Sequence, residues 1–92
     1  MANPPPPPKS LVTVYGADWC GDTSMTRNYL KRLNVKFAYI NIDKDPAGAE
    51  WVRDQNAGKQ KLPTVDVGGK ILSIPDDQEL EVALKSAGVR LS

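Results

Sequence analysis

Apolar positions along the chain switch between a period of two and a helical period, and the switches mark seven elements. Leu11-Val12-Thr13-Val14-Tyr15 is rich in β-branched and aromatic residues and is closed by Gly16, which reads as a buried strand. The spacing then becomes helical: Met25, Tyr29, Leu30 and Leu33 recur at one-turn intervals and Asn34 suits the stop, predicting a first helix over about 21–33. Phe37-Ala38-Tyr39-Ile40-Asn41-Ile42 returns to strand composition. Asp45-Pro46 supplies an N-cap followed by proline at the first helical position, opening a second helix over about 46–56. Its apolar residues Ala49, Trp51 and Val52 are sparse, so this helix is expected on a surface with Trp51 as its anchor. Residues 63–67 and 70–73 flank Gly68-Gly69, a pair that fits a primed turn, so these two strands form an antiparallel hairpin. Asp76 and Glu79 have capping-box spacing, and Leu80, Ala83, Leu84 and Ala87 follow as an apolar stripe before Gly88, predicting a third helix over about 77–87.

The order is βαβαββα. A βαβ unit makes its two strands parallel, and a hairpin can extend the same sheet in the opposite direction, giving an α/β fold with a four-stranded mixed sheet and helices on both faces. Ahead of it, residues 4–8 are all proline and favour extended polyproline II, so residues 1–10 are expected to be a disordered tail and residues 11–92 the folded domain.

Composition narrows the function classes. Twelve Lys and Arg against eleven Asp and Glu leave a net charge of +1, with no basic stripe for nucleic acid. No apolar run is long enough to span a bilayer, and no basic-then-apolar leader opens the chain, so a cytoplasmic protein without membrane contact is expected. A single cysteine excludes a disulfide-stapled fold, and the absence of histidine removes the usual protein-only metal constellations. No tightly bound cofactor is expected, and any metal would borrow ligands from another molecule.

The candidate chemistry lies in Trp19-Cys20-Gly21-Asp22-Thr23, where the lone thiol follows a strand by a short loop and opens a helix. Unpaired amides at a helix start stabilise an anionic sulfur, and only the thiolate is a nucleophile. Thr23, three residues on, is placed to donate its hydroxyl to that sulfur. Asp18 and Asp22 oppose the anion, and Arg27 lies a helical turn or more away. Two readings stay open on these residues alone: Cys20 as a catalytic nucleophile, or Cys20 as a small buried hydrophobe with Thr23 as a helix cap.

This order of elements, with a cysteine opening the first helix and a proline opening the third strand, resembles the thioredoxin fold in its glutaredoxin and mycoredoxin versions. The likeness rests on residues 15–23 as the active-site turn, on Lys61-Leu62-Pro63, and on Gly68-Gly69-Lys70 running without a gap to Asp76-Asp77. It implies a cis Leu62-Pro63 bond beside Cys20, with the Leu62 backbone pairing to a bound thiol as an added strand would. It further implies that Lys59 and Gln60 meet the glycine carboxylate of glutathione, and that Ile74, Pro75, Asp76 and Asp77 hold its other end at a helix start. Trp19 would shield one side of the sulfur and Gly21 would let backbone approach. Thr23 stands where many relatives have a second cysteine, and Ser73-Ile74 replaces the family's Gly-Gly. The Trp-Cys-Gly opening is shared with mycoredoxins, so mycothiol competes with glutathione as the small thiol.

The implied function is a monothiol oxidoreductase, expected to be a monomer, that reduces mixed disulfides between protein substrates and a small thiol through Cys20. Two alternatives follow from the same resemblance. One is a [2Fe–2S] carrier in which Cys20 and glutathione hold the cluster across a dimer. The other is a redox-inactive adaptor that keeps only the fold.

Overall fold

Every residue of strand β1 (Val12–Gly16) is buried, because it lies inside the sheet and is covered on both faces. In the computed structural model, which describes residues 11–91, β2 (Ala38–Asn41) pairs parallel to one side of β1, with Val14 opposite Tyr39. On the other side β3 (Thr64–Val67) pairs antiparallel, with Val14 opposite Val65. Strand β4 (Lys70–Ser73) completes the sheet in the order β2-β1-β3-β4. The proline-rich segment lies outside the described residues.

The period of two sorts the core into two layers. Val12, Val14, Val65 and Val67 point to one face and are covered by Leu30 of helix α1 (Gly21–Arg32) and by Leu80, Ala83 and Leu84 of helix α3 (Asp77–Ser86). On the opposite face Tyr15, Ala17, Ile42 and Leu62 gather around Val52 of helix α2 (Pro46–Gln55). Trp51 stacks on Tyr15 with ring centroids 4.2 Å apart, which makes it the anchor that its sparse helix requires.

Local chemistry sets the ends of these elements. Asp45 accepts from the Gly48 amide at 2.9 Å, with Pro46 in the first turn. Asp76 accepts from the Glu79 amide at 2.8 Å while the Glu79 carboxylate accepts from the Asp76 amide at 3.2 Å, closing a capping box. Gly68 and Gly69 have φ of 59° and 95°, the pair of positive values a type I′ turn requires. No helix among the described residues is long and apolar enough to cross a membrane.

One face was misplaced by helical spacing alone. Met25, expected in the apolar stripe of α1, is 68% exposed, and the buried residues of that helix are Thr23, Thr26 and Leu30. The reason lies at the end of β1. A Cβ added to Gly16 would fall within the envelope of the Thr23 side chain, so α1 is seated directly on backbone, and a compact threonine fits where methionine would not.

Gly16→Ala is therefore expected to lower the unfolding free energy by about 2 kcal/mol through overpacking. Urea unfolding checks this; a loss under about 0.5 kcal/mol, within the range of ordinary surface substitutions, would mean that the first turn of α1 is free to shift.

Candidate functional site

Cys20 is the N-cap of α1, with extended backbone at φ −87° and ψ 118°. Its amide donates to the Ala17 carbonyl at 3.1 Å and its carbonyl accepts from the Ser24 amide at 3.1 Å, so the backbone on both sides of the sulfur is held. The side chain makes no capping bond and is half-buried. Its thiol faces the Leu62 carbonyl, 3.9 Å away, across 42 residues of sequence. Leu62-Pro63 is a cis peptide, and the turn it makes lies beside the cysteine, as the resemblance implies.

The Pro63 carbonyl accepts from the Ile74 amide at 2.8 Å, joining this turn to the segment that enters α3. Ile74 achieves that bond with φ of +47°, a left-handed conformation that disfavours a β-branched side chain, and the side chain remains 48% exposed. Between this segment and α1 runs a groove of about 550 Å³. Pro63, Ile74, Pro75, Asp76 and Asp77 line it, so the positions expected to hold one end of a small thiol do come together. Asp22, Met25 and Thr26 form the facing bank, with Gln78 at the α3 end; sequence reasoning placed Asp22 only as a charge near the sulfur and did not place the other three in a site. A signal was available, because residues two, five and six positions after Cys20 share one face of a helix.

The other candidates stand apart from the groove. Lys59 and Gln60 are exposed in the loop before the cis-proline and are not among its lining residues. Trp19 is 68% exposed, and its indole donates to Asp43 at 2.7 Å, pinning the residue to the segment after β2. At Gly21 a Cβ would meet open space, which leaves the approach beside Cys20 unobstructed. The expected bond from Thr23 to the sulfur is not made. The Thr23 hydroxyl instead accepts from the Ala17 amide at 3.4 Å, because its side chain is wedged under the end of β1.

The charges around the loop have partners of their own. Asp18 accepts from the Tyr39 hydroxyl at 2.7 Å, and Arg27 reaches Asp18 at 3.9 Å while lying 3.8 Å above the Tyr39 ring. Asp18, two residues before the cysteine, thus fastens the loop to β2. Burial, followed by the hydrogen bond and the charge of Asp18, pushes the Tyr39 phenol up to about 12. In the groove itself Asp22, Asp76 and Asp77 are the charged residues, with no lysine or arginine among the lining.

The sequence profile of the glutaredoxin family matches residues 12–72. Mycoredoxin 1 of Corynebacterium glutamicum is 39% identical over 57 residues, covering 61% of this chain and 68% of that protein. A Mycobacterium tuberculosis protein bearing a provisional glutaredoxin name is 30% identical over 81 residues, covering 86% of this chain and 96% of the relative. Among solved structures, the glutaredoxin grx-1 of Archaeoglobus fulgidus superposes with a TM-score of 0.70 at 25% identity, covering 84% of this chain and 88% of that one.

Two outcomes follow from this geometry. Ile74→Gly should stabilise the fold by about 0.5–1 kcal/mol in chemical unfolding, because relief of the left-handed conformation exceeds the added freedom of the unfolded chain; a destabilisation would show that the exposed side chain contributes packing. The folded state also keeps the Tyr39 proton where the unfolded chain loses it, so stability is whole below pH 10 and falls as pH rises towards about 12. Tyr39→Phe should shallow that fall without removing it, since burial also raises Tyr15 and Tyr29. Unfolding midpoints measured from pH 9 to about 12 decide it.

Proposed function

The chain belongs to the glutaredoxin family, and from that premise we propose that it is a monothiol oxidoreductase, working in the cytoplasm, that reduces mixed disulfides between proteins and a small thiol. The observation that carries this reading is the half-buried Cys20 with its thiol set against the carbonyl of Leu62, the next residue, Pro63, lining the groove. Cys20 does not itself line the groove but faces the loop that leads into it at Pro63, and a nucleophile so placed can attack a disulfide whose small half is held while its large half stays in solvent.

The reaction takes two exchanges. The Cys20 thiolate attacks the small-thiol sulfur of the mixed disulfide; the old S–S bond breaks, the protein substrate leaves as a thiolate and takes a proton from solvent, and the small thiol remains on Cys20. A second molecule of the small thiol, as its thiolate, then attacks that adduct and departs as the symmetrical disulfide, restoring the Cys20 thiolate. The chain has no second cysteine for an internal resolving step. Clear space at Gly21 admits the incoming sulfur, and Trp19, fixed by Asp43, flanks the approach.

Two observations support mycothiol over glutathione as the small thiol. Asp22, Asp76 and Asp77 can accept hydrogen bonds from the hydroxyls of a sugar-based thiol, whereas of glutathione's charged groups they suit the single ammonium and not the two carboxylates, which find no lysine or arginine in the lining. Similarity to mycoredoxin 1 supports the same choice. Lys59 and Gln60, on the exposed loop, would meet a carboxylate only on a thiol that extends past the cis-proline turn.

Turnover of a cysteine peptide in mixed disulfide with mycothiol, compared with the same peptide carrying glutathione, tests both levels. The wild-type protein should exceed Cys20→Ser by at least about a hundredfold, as expected for loss of a nucleophile, and kcat/KM should favour mycothiol by about tenfold, or about 1.4 kcal/mol. Preference for glutathione would overturn the choice of thiol; no activity above Cys20→Ser with either would overturn the enzyme.

A further inference from the structure

Behind the groove, on the α2 side of the hairpin, one buried carboxamide ties together three segments that nothing in the sequence connects. Asn56 is the C-cap of α2 and is 7% exposed. Its Nδ2 donates to the Val52 carbonyl at 2.7 Å and to Thr64 Oγ1 at 3.1 Å, and its Oδ1 accepts from the Ser73 hydroxyl. Thr64 Oγ1 in turn donates to the Lys61 carbonyl at 2.7 Å, inside the loop that leads to the cis-proline. Both amide protons and the amide oxygen are thus used, and the network is satisfied without water.

The two residues that Asn56 grips on the hairpin are the ones adjoining the groove. Thr64 follows Pro63, Ser73 precedes Ile74, and Thr64 and Ser73 face each other as the final pair of the β3–β4 ladder. Beyond that pair the regular ladder ends: one strand becomes the cis-proline turn, the other the left-handed residue at the entrance to α3. The bond from the Ile74 amide to the Pro63 carbonyl is the last backbone contact between them. An end pair of a two-stranded ladder is where fraying starts, and a side chain bonded to both members suppresses it.

We propose that Asn56 is a positioning residue for the thiol site: by clamping Thr64 to Ser73 it holds Pro63 and Ile74 in register, and with them the bank of the groove that faces α1. Asn56 touches no substrate and acts through the residues it holds. The inference rests on reading the groove as the place that takes the small thiol. A purely structural asparagine would stabilise the whole fold evenly; a clamp acts on the Pro63–Ile74 bond more than on the centre of the sheet.

Hydrogen exchange and kinetics on Asn56→Ala, with Ser73→Ala as a milder variant that leaves α2 intact, separate the two roles. Exchange of the Ile74 amide should quicken about tenfold relative to that of Val14 in Asn56→Ala, and by a smaller factor in Ser73→Ala. KM for the small-thiol mixed disulfide should rise by about tenfold while kcat holds within about twofold, the pattern of lost uniform binding. Ile74 and Val14 quickening in parallel with KM unchanged, or neither quickening, would overturn the clamp. If Asn56→Ala does not fold, Ser73→Ala decides by the same two readouts. If the wild-type protein turns over neither thiol, the functional reading fails by itself, and the ratio of Ile74 to Val14 exchange still decides whether Asn56 positions the turn.

Discussion

Thr23 rests on Gly16 with no room for even a methyl group between them, and from that contact the position of the sulfur follows. The first turn of α1 is pressed against the end of β1, so the short loop joining them has one way to close. The Ala17 amide reaches the Thr23 hydroxyl, the Cys20 amide reaches the Ala17 carbonyl, and the cysteine is left at the helix cap with its side chain turned to the neighbouring loop. Two further attachments hold the loop from outside: Asp18 to Tyr39 and Arg27, and the Trp19 indole to Asp43. Packing fixes the loop at its base, and hydrogen bonds and charge fix its tip.

Much of the architecture could be read from residue spacing because the forces that make it are periodic. Val12 and Val14 against Val65 and Val67 define one face of the sheet; Leu80, Ala83 and Leu84 define the stripe that covers it. Asp45 and Asp76 announce helix starts by a local hydrogen bond that needs no partner from elsewhere in the chain. The face of α1 was misread at Met25 because volume at a single glycine, which has no period, decides what packs there. The roles of Asn56 and Arg27 were invisible for a related reason: each bonds to residues many positions away, and side-chain contacts between distant elements leave no trace in composition. The cis state of Leu62-Pro63 and the grouping of Ile74, Asp76 and Asp77 came from resemblance, since the residues themselves allow other arrangements.

The groove draws its character from how its helix start is already used. Amides at the first turn of α3 would ordinarily attract an anion, yet the Asp76 carboxylate is bonded to one of them and Glu79 closes the box behind it. Asp77 and Asp22 add further negative charge, while Met25, Pro63, Ile74 and Pro75 supply apolar surface. Such a lining offers acceptors and contact area and little to neutralise a carboxylate. The left-handed backbone at Ile74 keeps a branched side chain standing at this wall, where glycine would leave the space open.

Threonine at position 23 has a kinetic consequence as well as a steric one. Whatever becomes bonded to Cys20 has no internal exit, since the chain holds no other sulfhydryl that could expel it. In the proposed reaction the lifetime of that adduct would therefore be set by the concentration of free reductant outside the molecule, and the fraction of protein carrying it would gauge how depleted that pool is.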